Sequence, residues 1–340
     1  MPVQTNGEYG IVDFSSLTEL FPRIPKFMDQ LGLFGETFYG SSTIAQVERV
    51  EDQIDDIKAT SRGGDRQFVG RESVIQRNFT QPYFTLDSKF TAQDIQDLKA
   101  YGEGDMPMTM ASRVERTRGR IAKSHAVLRE RARYAALKGT SYAPNFPQAQ
   151  YTYATEFGVA SKVKAQFTVA FADESVDPRT TIEQEARQHI QKYAGNQADS
   201  YQVIAIVGSK FFDGLKDHPK TTGAYSSYAS SSEPLRNRLG GDLINRSWST
   251  EGVTYLEDFM GVQLGEIATD EAYFLPLGIE DMFQTHYAPA DHKDYANTTA
   301  QELYMFMLEG ARSDKVETET SFIMVNTRPE LVVNAKATFA

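Results

Sequence analysis

Apolar positions fall into blocks whose spacing changes along the chain. The most regular block is 110–138, closed by Gly139. There Val114, Ile121, Leu128 and Ala135 recur every seven residues, with His125 and Ala132 between them. This spacing predicts one long amphipathic helix, about 40 Å at 1.5 Å per residue. A second helical block opens at Asp177-Pro178, with Asp177 as cap and Pro178 at the first helical position. Ile182, Ala186, Ile190 and Tyr193 make its apolar face, and Gly195 closes it. Shorter helices are predicted over 91–102, capped by Thr91, and from Ser209, also a cap, to Lys216. Continuous apolar runs at 201–207 and 274–279 read as buried strands. The segments 152–171, 303–308, 321–325 and 331–333 read as further strands. The Ser/Thr/Tyr/Ala-rich stretch 221–232 reads as an exposed loop.

Two blocks resolve less simply. In 14–34, Leu17, Leu20, Phe21, Ile24, Phe27, Met28, Leu31 and Leu33 need burial, while Pro22 and Pro25 prevent a single helix. This is either an arm packing on a neighbouring subunit through Leu20, Phe21, Phe27 and Leu31, or an ordinary N-terminal core segment. In 42–89, Ile44, Val47, Val50, Ile54 and Ile57 have helix-like spacing, but the stretch is β-branched and ends in Ser61-Arg62-Gly63-Gly64-Asp65. Two glycines beside polar residues mark a turn. Phe68, Val69, Val74, Ile75, Phe79, Tyr83, Phe84 and Leu86 follow. A long two-stranded excursion with its tip at Gly63-Gly64 is expected. Such a hairpin is only marginally stable alone, so another chain should hold it.

Composition narrows the function. A chain of 340 residues, 40% hydrophobic and 24% charged, can fill a core. The net charge of -11 disfavours wholesale nucleic-acid binding and leaves only a local basic patch for such a contact. One exists: the 110–138 helix carries Arg113, Arg116, Arg118, Arg120, Lys123, Arg129, Arg131, Arg133 and Lys138 against only Glu115 and Glu130. Arg113, Arg116, Arg120, Lys123 and Arg131 on this face can meet phosphates or an acidic surface of a neighbour such as Asp52 to Asp56, part of the run Glu48, Glu51, Asp52, Asp55 and Asp56, itself read as a solvated or interfacial face. With no cysteine, disulfides and thiolate chemistry are excluded. No signal-peptide pattern opens the sequence, and no apolar run reaches the roughly 20 residues of a membrane helix.

Catalytic signatures are missing: no phosphate-binding loop, dinucleotide fingerprint or nucleophile elbow occurs. Among the histidines, His125 reads as packed into the core, His189 lies beside a helical apolar face, and His218 precedes Pro219 in a turn. His286, Asp291 and His292 read as a surface loop around Pro289. Two other functions stay open: a DNA-binding protein using helix 113–138, and a metal-dependent hydrolase built on His286, Asp291 and His292.

The order and spacing of these pieces resemble the lambda-like capsid E family of tailed-bacteriophage major capsid proteins. The resemblance rests on Ser61-Arg62-Gly63-Gly64, Pro82-Tyr83-Phe84-Thr85-Leu86, and Arg129 with Ala132, Ala136 and Leu137-Lys138-Gly139. Asp177-Pro178, the 203–207 strand, Phe274-Leu275-Pro276 and Arg328-Pro329-Glu330-Leu331 continue it. It runs from about Phe34 to Phe339. It implies an α+β, Hong Kong 97-like fold and no enzymatic activity. Its parts would be an N-terminal arm (1–41), an extended loop (42–90) and a peripheral domain (91–178) with spine helix 110–138. An axial domain (179–300) and peripheral return strands (301–340) would follow. The implied function is an icosahedral head shell of hexamers and pentamers around double-stranded DNA, built in the host bacterial cytoplasm. Implied partners are other copies through Ser61, Arg62, Gly63, Gly64 and Asp65, a separate scaffolding protein, a portal, a decoration protein and packaged DNA on the inner surface. No membrane, cofactor, metal or catalytic residue is implied.

Overall fold

The computed structural model describes residues 11–13, 27–51, 73–91, 93, 110–194, 201–228, 246–308, 310 and 313–339. In chain order, β1 (Ile11–Asp13), α1 (Phe27–Gln30) and β2 (Glu36–Tyr39) precede β3 (Ile44–Glu51) and β4 (Ser73–Thr80). Then come β5 (Tyr83–Thr85), β6 (Ser88–Thr91), the long α2 (Met110–Leu137), α3 (Tyr153–Glu156) and β7 (Phe167–Ala170). A helix follows as α4 (Pro178–Ile182), a π turn (Glu183–Arg187) and α5 (Gln188–Ala194). The rest is β8 (Gln202–Val207), α6 (Ser209–Asp217), α7 (Pro219–Tyr228), β9 (Ser247–Thr250), β10 (Val253–Glu257), α8 (Phe259–Gln263), β11 (Glu271–Leu277), β12 (Phe283–Ala288), β13 (Tyr304–Leu308), β14 (Ser313–Asn326) and β15 (Val333–Thr338).

Two large sheets and a separate ribbon result. The 14-residue β14 organises the first. β13 and β12 pair with successive halves of one edge, and β5 and β6 line the other. β1 and β2 extend this sheet outward from β13 and β12. The second sheet has the order β7-β15-β11-β8-β10-β9. Its centre is the apolar run Val203–Val207, at most 3% exposed, flanked by Ala272, Phe274 and Leu275. Such a continuous run suits a strand buried on both faces. The helix from Pro178 to Ala194 buries Ile182, Ala186 and Ile190, and the Asp177 side chain accepts from the Arg179 amide at 3.0 Å.

The ribbon is β3 and β4, antiparallel from Ile44↔Thr80 to Glu51↔Ser73. The helix-like spacing around Ile44 loses to strand alternation, as expected for β-branched residues. Ala45, Val47 and Arg49 point inward and Ile44, Gln46 and Glu48 outward. Residues 52–72, including the expected tip, lie outside the described residues. The last part of the expected loop differs: residues 83–91 leave the ribbon and join β14.

Several expectations are corrected. Residues 153–156 form a helical turn, not a strand. That turn buries Tyr153 and Phe157 together against Phe79, and Gly158 (φ 71°) ends it. Gly208, not Ser209, occupies the N-cap of α6, and a Cβ there would collide with the backbone of Ala268 and Thr269, which requires glycine. The expected loop at 221–232 is helical through Tyr228, because Pro219 starts a helix, and Thr221 is buried. His286 stands on β12, not in a surface loop, and stacks on Phe38 at 4.7 Å. The sheets also cut across the expected domain limits. β12, inside 179–300, sits beside β14, whereas β15, inside 301–340, joins β11 and β7 of the other sheet. The expected 91–102 helix lies almost wholly outside the described residues.

Charge holds the ribbon to the body along β3. Arg49 donates from Nη2 to Glu330 Oε1 at 2.6 Å and from Nη1 to Thr327 O at 2.8 Å. Both side chains of the ion pair are at most 4% exposed. Arg328 Nη2 donates to Val50 O at 3.0 Å. Removing one member of a buried pair strands the other charge, at a cost of about 3–5 kcal/mol. Glu330→Ala should therefore lower the unfolding free energy by about that amount in urea denaturation. A change below about 1 kcal/mol, typical of an exposed pair, would contradict the burial of this anchor.

Candidate assembly surface

A 28-residue helix, about 42 Å long at 1.5 Å per residue, frames the subunit. Its first half lays Ile121 and the half-buried Val114 against Phe90, Met305 and Val316. Its second half packs Ala132, Tyr134, Ala136 and Leu137 into the main core. The buried face rotates between the two, and this brings Glu130 inside.

Glu130 is fully buried. It accepts from the Met28 amide at 2.7 Å and from Arg133 at 3.1 Å. Burial pushes its carboxyl up, and these two donors pull the other way. Arg133 also reaches Asp29 at 2.5 Å. The helix thus clamps the Phe27–Gln30 turn to its own subunit. Phe27 is buried in that core and Leu31 packs against it, partly buried. Leu20 and Phe21 lie outside the described residues.

Farther along, Tyr134 donates to the buried Asp258, which caps α8 by accepting from the Gly261 amide at 2.8 Å. This joins the helix to the second sheet. Neither Glu130 nor Asp258 was singled out from the sequence. A carboxylate on a basic helix reads as a counter-charge, and Asp258 lacks any pattern beyond a possible cap.

The basic stripe divides. Arg129 pairs with Glu302 at 3.4 Å, and Arg131 (3.9 Å) and Lys138 (3.2 Å) pair with Glu266, all within the chain. Arg131 therefore faces its own subunit's carboxylate. In the N-terminal half Arg118 pairs with Glu115, while Arg116, Arg120 and Lys123 are exposed and Arg113 is half-buried. The loop-tip residues Ser61, Arg62, Gly63, Gly64 and Asp65 lie outside the described residues. Glu48 of the acidic run is exposed and accepts from Gln76 at 3.3 Å.

The ribbon has one covered face. Arg77 donates to Glu156 O at 2.6 Å, the Thr80 amide donates to Tyr151 Oη at 3.0 Å, and Phe79 is enclosed by Tyr151, Tyr153 and Phe157. On the opposite face Ile44 and Val74 are 52% and 50% exposed.

No group of three or more His, Asp or Glu side chains able to hold a metal occurs among the described residues. His286 is buried on β12, where its Nε2 lies 3.0 Å from Gln284 Oε1. His292 lies 3.7 Å from Asp294 and stacks on Phe306. No helix among them is long and apolar enough to cross a membrane.

A rooted ribbon, a long framing helix and two unequal sheets define a subunit of the Hong Kong 97-like capsid class. In fold it is similar to the mature capsid subunit of bacteriophage PhiM1, with a TM-score of 0.53 and 16% identity over 93% of this chain and 88% of that one. The phage major capsid protein E model matches residues 14–337, so the chain belongs to that family. It is 33% identical to the major capsid protein of Pseudomonas phage KPP10, over 98% of both chains. Identity to the major capsid protein of Salmonella phage Felix O1 is 25%, again over 98% of both. The family is structural rather than enzymatic, and neither alternative function is supported.

Buried histidines give the subunit a pH signature. Burial, and secondarily the Arg129 charge, lowers His125 to about 4, and burial lowers His286 to about 4. Both are neutral in the fold, whereas the unfolded chain protonates them near 6.5. Their contribution is complete above pH 6.5 and is lost as pH falls towards 4, up to about 3 kcal/mol each. Unfolding free energies measured across this window should fall less steeply for His125→Gln than for the parent. Parallel curves would refute the burial of His125.

Proposed function

We propose that the chain is the subunit of a tailed-phage head, closing as hexamers and pentamers into an icosahedral shell around double-stranded DNA. Family membership supports the shell role. The observation that carries the finer reading is the β3–β4 ribbon, rooted by a buried ion pair on one side and bare on the other. A two-stranded ribbon lacks a core of its own, so a second copy is its natural cover. Contacts of this head-to-tail kind are heterologous and can close into rings.

On this reading the arm spans 1–41, with its 27–34 part held on its own subunit, and the extended loop is 42–82. The peripheral unit holds α2 and the β14 sheet. The axial unit holds the β8 sheet and therefore includes β7 and β15. Ser61, Arg62, Gly63, Gly64 and Asp65 form the tip that meets a neighbour. Interfaces of obligate assemblies bury on the order of 2,000–5,000 Å². At about 25 cal/mol/Å² that is tens of kcal/mol per subunit before ordering costs. A separate scaffolding protein, a portal and a decoration protein complete the head, which assembles in the host cytoplasm and ends in the virion.

Electron microscopy tests this directly. Co-expression with a scaffolding partner should yield uniform closed shells, and the chain alone should not. Uniform shells from the purified chain alone would remove the scaffold from this account. Replacing Gly63 and Gly64 together with valine should leave the subunit folded by circular dichroism and abolish shells. Normal particles from that variant would refute the tip assignment.

A further inference from the structure

Between α2, the Phe27–Gln30 turn, β2 and β12 lies a cavity of about 330 Å³. Ligand cavities run from about 300 to 1,000 Å³, so this one suits a small molecule. Its polar wall comes from Asp29, Arg129, Arg133, Thr285, Tyr287 and Glu302. Strand pairing sets Thr285 and Tyr287 opposite Thr37 and Tyr39, and all four line the cavity.

The acceptors in this wall are engaged. Asp29 takes Arg133 at 2.5 Å, and Glu302 takes Tyr39 Oη at 3.3 Å and Arg129 Nη1 at 3.4 Å. The donors are not. Arg133 Nε is buried without a partner. Arg129 spends one nitrogen on Glu302, and its guanidinium meets no other acceptor among the described residues. Tyr287 and Thr285 are each 4% exposed, yet neither hydroxyl has a hydrogen-bond partner among the described residues. Buried polar groups are normally satisfied. A wall whose unspent groups are all donors calls for an acceptor. Burial pushes Tyr287 up to about 12, so its hydroxyl keeps its proton and donates through the neutral range.

Two features narrow the chemistry. The planar fork of an arginine matches a carboxylate through two parallel bonds. Asp29 and Glu302 beside it repel a second negative charge, which disfavours a phosphate dianion. The Tyr39 ring, 45% exposed and stacked on Tyr287 at 5.6 Å, offers a flat apolar wall, which Phe34 extends. Glu302 is the internal rival for Arg129. Its side chain is 38% exposed and its contact is long, so it can turn out to water when another carboxylate enters.

We propose that this cavity binds a small organic monocarboxylate, gripped by Arg129 and the Tyr287 and Thr285 hydroxyls, with its body against the Tyr39 ring. The site lies within one subunit and needs no assembly to form.

Titration calorimetry on the full-length chain at fixed ionic strength tests it, with sodium benzoate as the probe and benzamide and inorganic phosphate beside it. Benzoate should saturate one site with a Kd of about 1 mM or tighter, ordinary for so small a ligand, and both controls should bind at least about tenfold more weakly. Arg129→Gln should cost about tenfold or more, and Tyr287→Phe about fivefold. Glu302→Gln removes the rival charge and should tighten binding severalfold. Tyr287→Phe removes one oxygen from an intact ring stack, so it decides the matter even if Arg129→Gln fails to fold by circular dichroism. No saturation by benzoate below about 10 mM overturns the proposal and leaves the cavity to water. Parental affinity in Tyr287→Phe, or benzamide or phosphate binding as tightly as benzoate, overturns it as well.

Discussion

Arg49 and Glu330 meet where water is excluded, and the geometry of the ribbon depends on that meeting. A charge placed there is tolerated only because its partner and the Thr327 carbonyl satisfy the guanidinium at the same time. The pair ties β3 to the turn between β14 and β15, one of the short links, with that from β11 to β12, between the two large sheets. His189, on the helix covering the second sheet, contacts the Glu330 carbonyl at 3.1 Å. Ribbon, both sheets and that helix thus converge on four residues, 327–330. The direction in which the ribbon leaves the body is set there.

Beyond its root the ribbon has little of its own. Its covered face ends at Phe79, Val47 and Arg49, and its other face carries exposed Ile44 and Val74. A soluble monomer gains nothing from such a projection. A subunit whose surface is completed by identical neighbours does, because the same bare face recurs on every copy and can be covered by the same complementary surface. The long helix serves the opposite purpose. Its second half spends every cation on its own subunit, holding the Phe27–Gln30 turn and α8 in place. Its first half packs Ile121 and Val114 inside and leaves Arg116, Arg120 and Lys123 exposed.

Much of this was legible in the sequence because it depends on periodicity. The heptad of Val114, Ile121, Leu128 and Ala135 fixed the long helix, Asp177-Pro178 fixed a helix start, and the apolar run at 203–207 fixed the central strand. Single residues whose role depends on a distant partner were not legible. Arg49 sits among Glu48, Glu51 and Asp52 and reads as part of a solvated charged run, yet strand alternation turns it inward towards Glu330, 281 positions away. Glu130 reads as a counter-charge until the drift of the helix face buries it. Tyr153 and Phe157 read as strand residues because aromatics favour strands, but their spacing also suits one helical turn, and Phe79 decides between them. Sheet membership was lost for a related reason: β12 and β15 are consecutive in no local pattern with the strands they join.

The central claim is that β3 and β4 are finished by another copy of the chain. Amide hydrogen exchange over residues 44–51 and 73–80, compared between the isolated subunit and the closed shell, measures it most directly. Cover by a neighbour predicts protection at the outward positions near Ile44 and Val74 that rises strongly on assembly, while Arg49 and Phe79 are protected in both states. Equal protection in subunit and shell would mean that the ribbon is complete on its own, and would contradict the account.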